Sequence, residues 1–461
     1  MTTKAKSDSF PPQIKYIVGN EACERFSYYG MRAILVVFMV QHLKMADNEA
    51  TEIYHHFAAA CYFTPLLGAY IADRYWGKYK TIMTLSIVYC LGHLVLALGE
   101  GTRAGLYWGL GLIALGSGGI KPCVSTHVGD QFTDKNKHLI EKIYDIFYFA
   151  INFGSFFSTL LIPKMLVWYG PGWAFGLPGI LMAIATVVFW RGHPQYVNVP
   201  PTGKTGKAGF LPILWAAIAG KRKPDGDFFS AASPKYSADE IEGARAVLDV
   251  CKVFATVSVF WALFDQHGSS WVLQADKMNL DVFGQHWEAS QIPALNPIMV
   301  MVLIPVFAKW IYPWIGKTFN FPMTPLRRMS MGMVVAATSF VAAAMIQHAI
   351  DAGGRPAILW QFIPYLLITT AEIMISITGL EFAYTQAPRA MKSTVMSIFF
   401  LTIFFGNELT AQVARINTFQ GASFFWFFAA LMAGVSGIFI YTAYHYKVRE
   451  YIEDGSAPVG H

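Results

Sequence analysis

Residues 16–43 read YIVGNEACERFSYYGMRAILVVFMVQHL. The run is long enough to cross a bilayer as a helix, which takes ~20 mostly apolar residues. It nevertheless carries Glu21, Glu24, Arg25 and Arg32. A charge at the centre of a membrane helix costs roughly 2.5–3.5 kcal/mol on insertion scales, so its position decides how the run is read. At 100° per residue the four charges, with Tyr28 and Tyr29, fall within an arc of about 140°. One polar face on an otherwise apolar helix must look into a bundle or a water-filled cavity. The run therefore predicts one span of a polytopic membrane protein.

The rest of the chain agrees. Of its 461 residues, 54% are hydrophobic and only 14% charged, where a soluble domain carries about a quarter charged. Mean hydropathy is +0.40. Further apolar runs fall at roughly 53–74, 81–100, 106–129, 144–168 and 173–191. A second set follows at roughly 247–273, 289–313, 326–350, 357–387, 393–415 and 419–446. Between the sets, 193–246 holds Pro200-Pro201, Gly-Lys repeats and Lys221-Arg222-Lys223, too polar to span. The expected organisation is an all-α membrane protein of 12 transmembrane helices in two six-helix bundles (residues 1–192 and 247–461) joined by that cytoplasmic linker. The amphipathic stretch Phe210 to Ala219 suits a membrane surface.

With the N-terminus inside, inner loops and tails hold about 25 of the 35 basic residues and outer loops about 6, the bias expected of cytoplasmic segments. Both termini are thus expected in the cytoplasm of a multi-pass protein of the cytoplasmic (inner) membrane. The polar first 14 residues and the length of the first apolar run predict no cleaved targeting peptide. Topology accounts for the net charge of +6, so no nucleic-acid partner is expected. Cys23, Cys61, Cys90, Cys123 and Cys251 lie in or beside apolar runs without zinc spacing, which predicts packing residues rather than a disulfide or metal site. Gly203-Lys204-Thr205 lacks the upstream glycine of a Walker loop, and HExxH and GxSxG do not occur. No enzyme chemistry is expected.

Charged residues within spans are functional candidates by default. Glu21 has two readings, a functional carboxylate or one that only pairs with Arg25. Arg32, with no acid beside it in the run, reads as functional. Lys121 follows Gly-Ser-Gly-Gly-Ile and precedes Pro122. The glycines permit close helix approach and the proline opens the backbone ladder; Lys121 faces a cavity or snorkels to the surface. Deep acids fall in the second half, at Asp265, Glu372, Glu381 and Glu408. A ligand negative at one end and positive at the other suits that division.

These residues carry a resemblance over nearly the whole chain. Glu21-Ala-Cys-Glu24-Arg25-Phe-Ser-Tyr28-Tyr29-Gly resembles the ExxERFxYYG motif of the proton-coupled oligopeptide transporters, a branch of the major facilitator superfamily. Gly68-Ala-Tyr-Ile-Ala-Asp73-Arg74 resembles the facilitator loop after helix 2, and Phe147-Tyr148-Phe-Ala-Ile-Asn152-Phe-Gly154 the helix 5 signature. Leu295-Asn296-Pro297 and Gly379-Leu380-Glu381-Phe382 extend the match. Ile53-Tyr54-His55-His56-Phe57 is similar to the animal intestinal and renal members, but the large extracellular domain those carry between helices 9 and 10 has only Asp351 to Pro356 in its place. A compact bacterial-type transporter is expected.

The resemblance implies proton symport of di- and tripeptides, with the proton as coupling ion and no cofactor, by a monomer in the lipid bilayer. It implies that Arg32, Lys121 and Arg25 hold the peptide carboxylate, and that Glu372 with Asn296 holds the amino terminus. Tyr28, Tyr29, Tyr62 and Asn152 would shape the pocket, and Trp261 and Trp426 would line side-chain sites. The alternative for these aromatics is helix packing. Glu21 and Glu24 beside Arg25 suit proton coupling, and Asp265 suits a gate pairing with Arg32 or Lys121. His55 would carry a proton, titrating near pH 6.5 when unperturbed; alternatively His55 and His56 cap the outer end of helix 2. A same-fold carrier of another small solute, such as nitrate or an amino-acid derivative, is the other reading, although nitrate needs no acidic partner.

Overall fold

The computed structural model describes residues 9–133, 136–201, 210–220, 227–386, 388 and 391–448. Lys221-Arg222-Lys223 and Gly203-Lys204-Thr205 lie outside the described residues. Helices 1 to 6 run Ile14–Val37, Asp47–Ile71, Lys78–Leu98, Arg103–Asp130, Ile140–Tyr169 and Pro171–Gly192. Helix 7 (Ala238–Phe264) breaks into a 3-10 turn and resumes as Ser270–Asp276. Helix 8 is Leu295–Val306 and, past a π-turn, Tyr312–Thr318. Helix 9 is Pro325–Asp351, helix 10 Phe362–Glu372 and, past another π-turn, Thr378–Thr385. Helices 11 and 12 are Lys392–Ile416 and Ala422–His445.

Local chemistry sets several ends. Thr102 accepts from the Gly105 amide at 3.0 Å and caps helix 4. Gly170, at φ +83°, turns the chain between helices 5 and 6, and Pro171 opens helix 6. Helix 7 begins at Ala238, earlier than the apolar run suggests, because Ser237 and Glu240 form a capping box and Ile241, Ala244 and Val247 already bury an apolar stripe. The linker helix (Phe210–Ala219) buries Phe210, Ile213 and Ala217 but exposes Leu211, Trp215 and Ile218.

Among the described residues nine helices are long and apolar enough to span a membrane. Helices 1, 2 and 4 fall short. They carry the buried polar groups Glu21, Glu24, Arg25, Arg32, His55, Ser117 and His127, which protein rather than lipid must satisfy. There are two apolar cores, the first centred on the first half but extending to Val272 and Leu273 of helix 7, the second in the second half. Ile34, Tyr89, Ile113, Phe175 and Phe189 belong to the first; Phe254, Trp271, Met329, Phe340 and Phe428 belong to the second. In the first half helices 2 and 4 meet glycine to glycine, because a Cβ on Gly68 would collide with the Gly119 backbone.

Polar contacts join the halves at the end away from the termini and linker. Lys277 pairs with Asp47 at 2.8 Å, Lys164 with Glu288 at 2.9 Å, and Gln41 donates to Asp276 at 3.1 Å. Gln291 donates to the Leu160 carbonyl at 2.7 Å. A two-stranded hairpin, Asp281–Val282 with Gln285–His286, covers this end; its turn residues Phe283 and Gly284 both have positive φ.

Candidate functional site

On helix 1, Glu21, Glu24, Arg25, Tyr28 and Arg32 are buried in one stripe, at most 8% exposed. The Arg25 Nε–H donates to Glu21 Oε1 at 2.7 Å. Glu24 Oε2 lies 3.1 Å from the same nitrogen, within ion-pair range but without a hydrogen bond. The other Glu24 oxygen accepts from Ser117 of helix 4 at 3.1 Å. Two buried carboxylates thus share one guanidinium. With both ionised the group has one excess negative charge in a low-dielectric site, and a proton on either removes it.

Two helical turns on, Arg32 crosses to the other half. Its Nε donates to the Tyr54 hydroxyl at 2.6 Å, and its Nη2 pairs with Asp265, where helix 7 breaks. A Cβ at Gly268 would overlap the Tyr54 hydroxyl, so the glycine lets helix 2 approach. Asp265 Oδ2 accepts from Asn407 Nδ2 at 2.6 Å. The Asn407 Oδ1 lies 2.8 Å from His55 Nδ1, and His55 Nε2 lies 2.8 Å from Ser269 Oγ. Because the amide oxygen only accepts, Nδ1 carries a hydrogen, and Nε2 is the atom free to gain or lose one. His55 is fully buried and spans the two halves, so it does not cap helix 2. His56, partly exposed, pairs with Glu408 at 3.0 Å and lies 3.6 Å from Glu52.

Beneath Arg32 and Asp265 a cavity of about 230 Å³ opens between the halves. Tyr29, Arg32 and Tyr62 reach it from the first half; Trp261, Asp265, Asn296 and Glu372 reach it from the second. Asn296 Nδ2 donates to Glu372 Oε2 at 2.7 Å and lies 3.2 Å from Thr369 Oγ1. Glu372 is the last residue before the π-turn of helix 10. The Lys121 Nζ sits 4.4 Å from the Tyr28 ring centroid and 4.8 Å from that of Tyr62, with no carboxylate within 4 Å among the described residues. Its charge thus lies behind Tyr62, next to the wall.

Three sequence expectations need correction. Trp426 is 38% exposed and donates to His348 Nε2 at 3.0 Å; helices 9 and 12 hold it on the flank of the bundle, away from the cavity. Asn152 gives its amide to the Tyr148 carbonyl of its own helix at 2.9 Å and does not line the cavity. Glu381 is exposed and Glu408 turns to His56, so neither acid is a wall residue. Of the two partners open to Asp265 in the sequence, Arg32 is the one it meets. Sequence reasoning missed Tyr54, Ser269 and Asn407. Tyr54 adjoins His55, but polar residues as common as Asn407 and Ser269 carry no distinguishing mark in a single sequence.

A family model described as the POT family matches residues 79–427, a stretch that excludes the helix 1 stripe. The chain is 38% identical to solute carrier family 15 member 2 of Rattus norvegicus over 400 residues, which are 82% of this chain and 54% of that protein. It therefore spans about half the length of that relative. A crystal structure of an auto-inhibited POT family peptide transporter matches with a TM-score of 0.89 at 38% identity, covering 97% of this chain and 99% of the other. The in meso crystal structure of the POT family transporter PepTSo matches with a TM-score of 0.90, also at 38% identity, covering 95% and 98%.

Proposed function

The chain belongs to the POT family, and from that premise we propose that it imports di- and tripeptides by proton symport and alternating access. The observation that carries this reading is one cavity with Arg32 contributed by the first half and Glu372 by the second. A short peptide is a zwitterion at neutral pH and bridges such walls, whereas an inorganic anion has no use for Glu372. The solved relative matched over 99% of its length is a peptide transporter, so the reading does not rest on the longer animal relatives.

Arg32, with Lys121 behind Tyr62 and Arg25 two helical turns away, holds the peptide carboxylate. Glu372, oriented by Asn296, holds the amino terminus. Tyr29 and Tyr62 shape the space between, Tyr28 packs behind Tyr29 without lining the cavity, and Trp261 lines a side-chain site. With termini and linker in the cytoplasm of the inner membrane, the joined end of the halves faces outward. The arriving carboxylate competes with Asp265 for Arg32. Losing that contact loosens the outer closure, and regaining it after release restores the closure. Protonation of Glu21 or Glu24 removes the excess charge and frees Arg25 from its double pairing. A second proton at His55 Nε2 turns that atom from acceptor to donor towards Ser269, at the break in helix 7. A monomer contains every group this cycle uses.

The direct test is dialanine uptake into proteoliposomes under an imposed inward proton gradient. The expected result is accumulation above equilibrium that a protonophore abolishes, that trialanine inhibits and that free alanine leaves unchanged. Uptake that only equilibrates, or equal competition by alanine, refutes the assignment.

A further inference from the structure

Glu288 and Asp351 are separated by 62 residues without an aspartate or glutamate, and that stretch, residues 289–350, contains helices 8 and 9 with the hairpin between them. Lys309 and Lys317 of helix 8 and Arg327 and Arg328 of helix 9 flank the turn of this helical hairpin, on the linker side of the bundle. Among the described residues none of the four has a carboxylate within 4 Å. Three other same-side cations are neutralised, Lys78 by Asp130 at 2.6 Å, Arg245 by Asp227 at 2.7 Å and Lys252 by Asp249 at 2.7 Å.

Lysines and arginines on this side would satisfy membrane topology wherever they pointed, but the two arginines are also held in place. The Arg327 guanidinium lies 4.2 Å from the Phe321 ring centroid and donates to the Pro322 carbonyl at 3.0 Å. The Arg328 guanidinium lies 4.6 Å from the Tyr312 ring centroid and donates to the Met323 carbonyl at 2.8 Å. Each thus commits one of its five N–H donors and keeps a fixed fork with the rest. Both sit in the first turn of helix 9, the positive end of the helix dipole, where anions are favoured and cations are not. An incoming anion relieves that mismatch.

The surroundings select a lipid. The most apolar window of helix 8 is 17% buried, against 33–56% for the other eight spanning helices, and Tyr312–Thr318 buries no residue. Trp310, Trp314 and Phe319 are all more than half exposed, as in the aromatic belt at a membrane interface. We propose that the hairpin between helices 8 and 9 binds the headgroup phosphate of an anionic phospholipid in the linker-side leaflet, gripped by Arg327 and Arg328 and assisted by Lys309 and Lys317.

The test titrates full-length, delipidated protein with phosphatidylglycerol or phosphatidylcholine and counts retained lipid by native mass spectrometry. The wild type is expected to retain phosphatidylglycerol preferentially. Arg327→Gln with Arg328→Gln should weaken that retention about 30-fold, roughly fivefold for each cation removed from an anionic headgroup, and leave phosphatidylcholine unchanged. Lys80→Gln with Arg191→Gln, which removes two other same-side cations, should stay within twofold of wild type. Should the glutamine pair unfold, Arg327→Lys with Arg328→Lys keeps the charge but loses the fork and should still bind more weakly than wild type. No lipid preference in the wild type, equal losses in both neutralised pairs, wild-type binding by the lysine pair, or displacement of the lipid by equimolar inorganic phosphate each overturns the proposal.

Discussion

Asp265→Asn tests the closure of the outer end most directly. The substitution keeps the shape of the side chain and an oxygen for the Asn407 amide, but leaves Arg32 buried without its counter-charge. Removing one partner of a buried ion pair costs about 3–5 kcal/mol. The retained hydrogen bonds put the effect near the lower figure, roughly a 150-fold change in the ratio of closed to open outer ends at 1.36 kcal/mol per decade. The Lys277–Asp47 pair cannot offset this. Lys277 and Asp47 are each about half exposed, and such a pair contributes at most about 1 kcal/mol. The assay is double electron–electron resonance between spin labels at Asn48→Cys and Gln420→Cys, both at the closed end, with the five native cysteines replaced. Wild type should give one short distance, and Asp265→Asn a second, longer one. Arg32→Gln with Asp265→Asn leaves no unpaired buried charge and should recover most of the short distance, a strongly non-additive cycle. Wild-type distances in Asp265→Asn, or additive effects in the pair, would mean that Arg32 and Asp265 do not hold the outer end shut.

Four other substitutions probe the remaining roles. Glu24→Gln should abolish gradient-driven accumulation of dialanine while sparing counterflow exchange; full accumulation by this variant removes Glu24 from coupling. Glu372→Gln loses a charged hydrogen bond, about 1.5–3 kcal/mol, so the KM for dialanine should rise roughly 10- to 150-fold; an unchanged KM argues that the amino terminus binds elsewhere. Asn407→Leu strips the buried His55 Nδ1 and Asp265 Oδ2 of their partner and should alter the external-pH profile of uptake. A wild-type profile would uncouple His55 from Asp265. Trp426→Ala should leave uptake within about twofold of wild type, as expected for a residue outside the cavity; a tenfold loss would return it to the site.

The polar stripe of helix 1 was legible because helical periodicity is a property of one segment. Six residues within a 140° arc at 100° per residue leave little choice about which face is buried, and Glu21, Glu24 and Arg25 pair within a single turn. The π-turn after Glu372 and the break at Asp265 had no such local mark. Trp426 shows the limit from the other side. In the run Phe424 to Phe427 every residue is aromatic, so hydrophobic pattern alone cannot say which of them faces the cavity.

From the residues alone came the membrane-spanning helices, the buried polar face of the first span and the division of Arg32 in one half from Asp265 and Glu372 in the other. Each follows from lipid's inability to solvate charge or free backbone groups, and that constraint acts along a single helix. Which charges meet was decided only by the packed bundle. Arg32 finds Asp265 across 233 positions of sequence, and His55 reaches Asn407 across 352. Such contacts depend on helix rotation, on breaks such as the one at Asp265 and on close approaches such as Tyr54 against Gly268. Those are properties of surfaces fitted to one another, and a one-dimensional pattern does not record them.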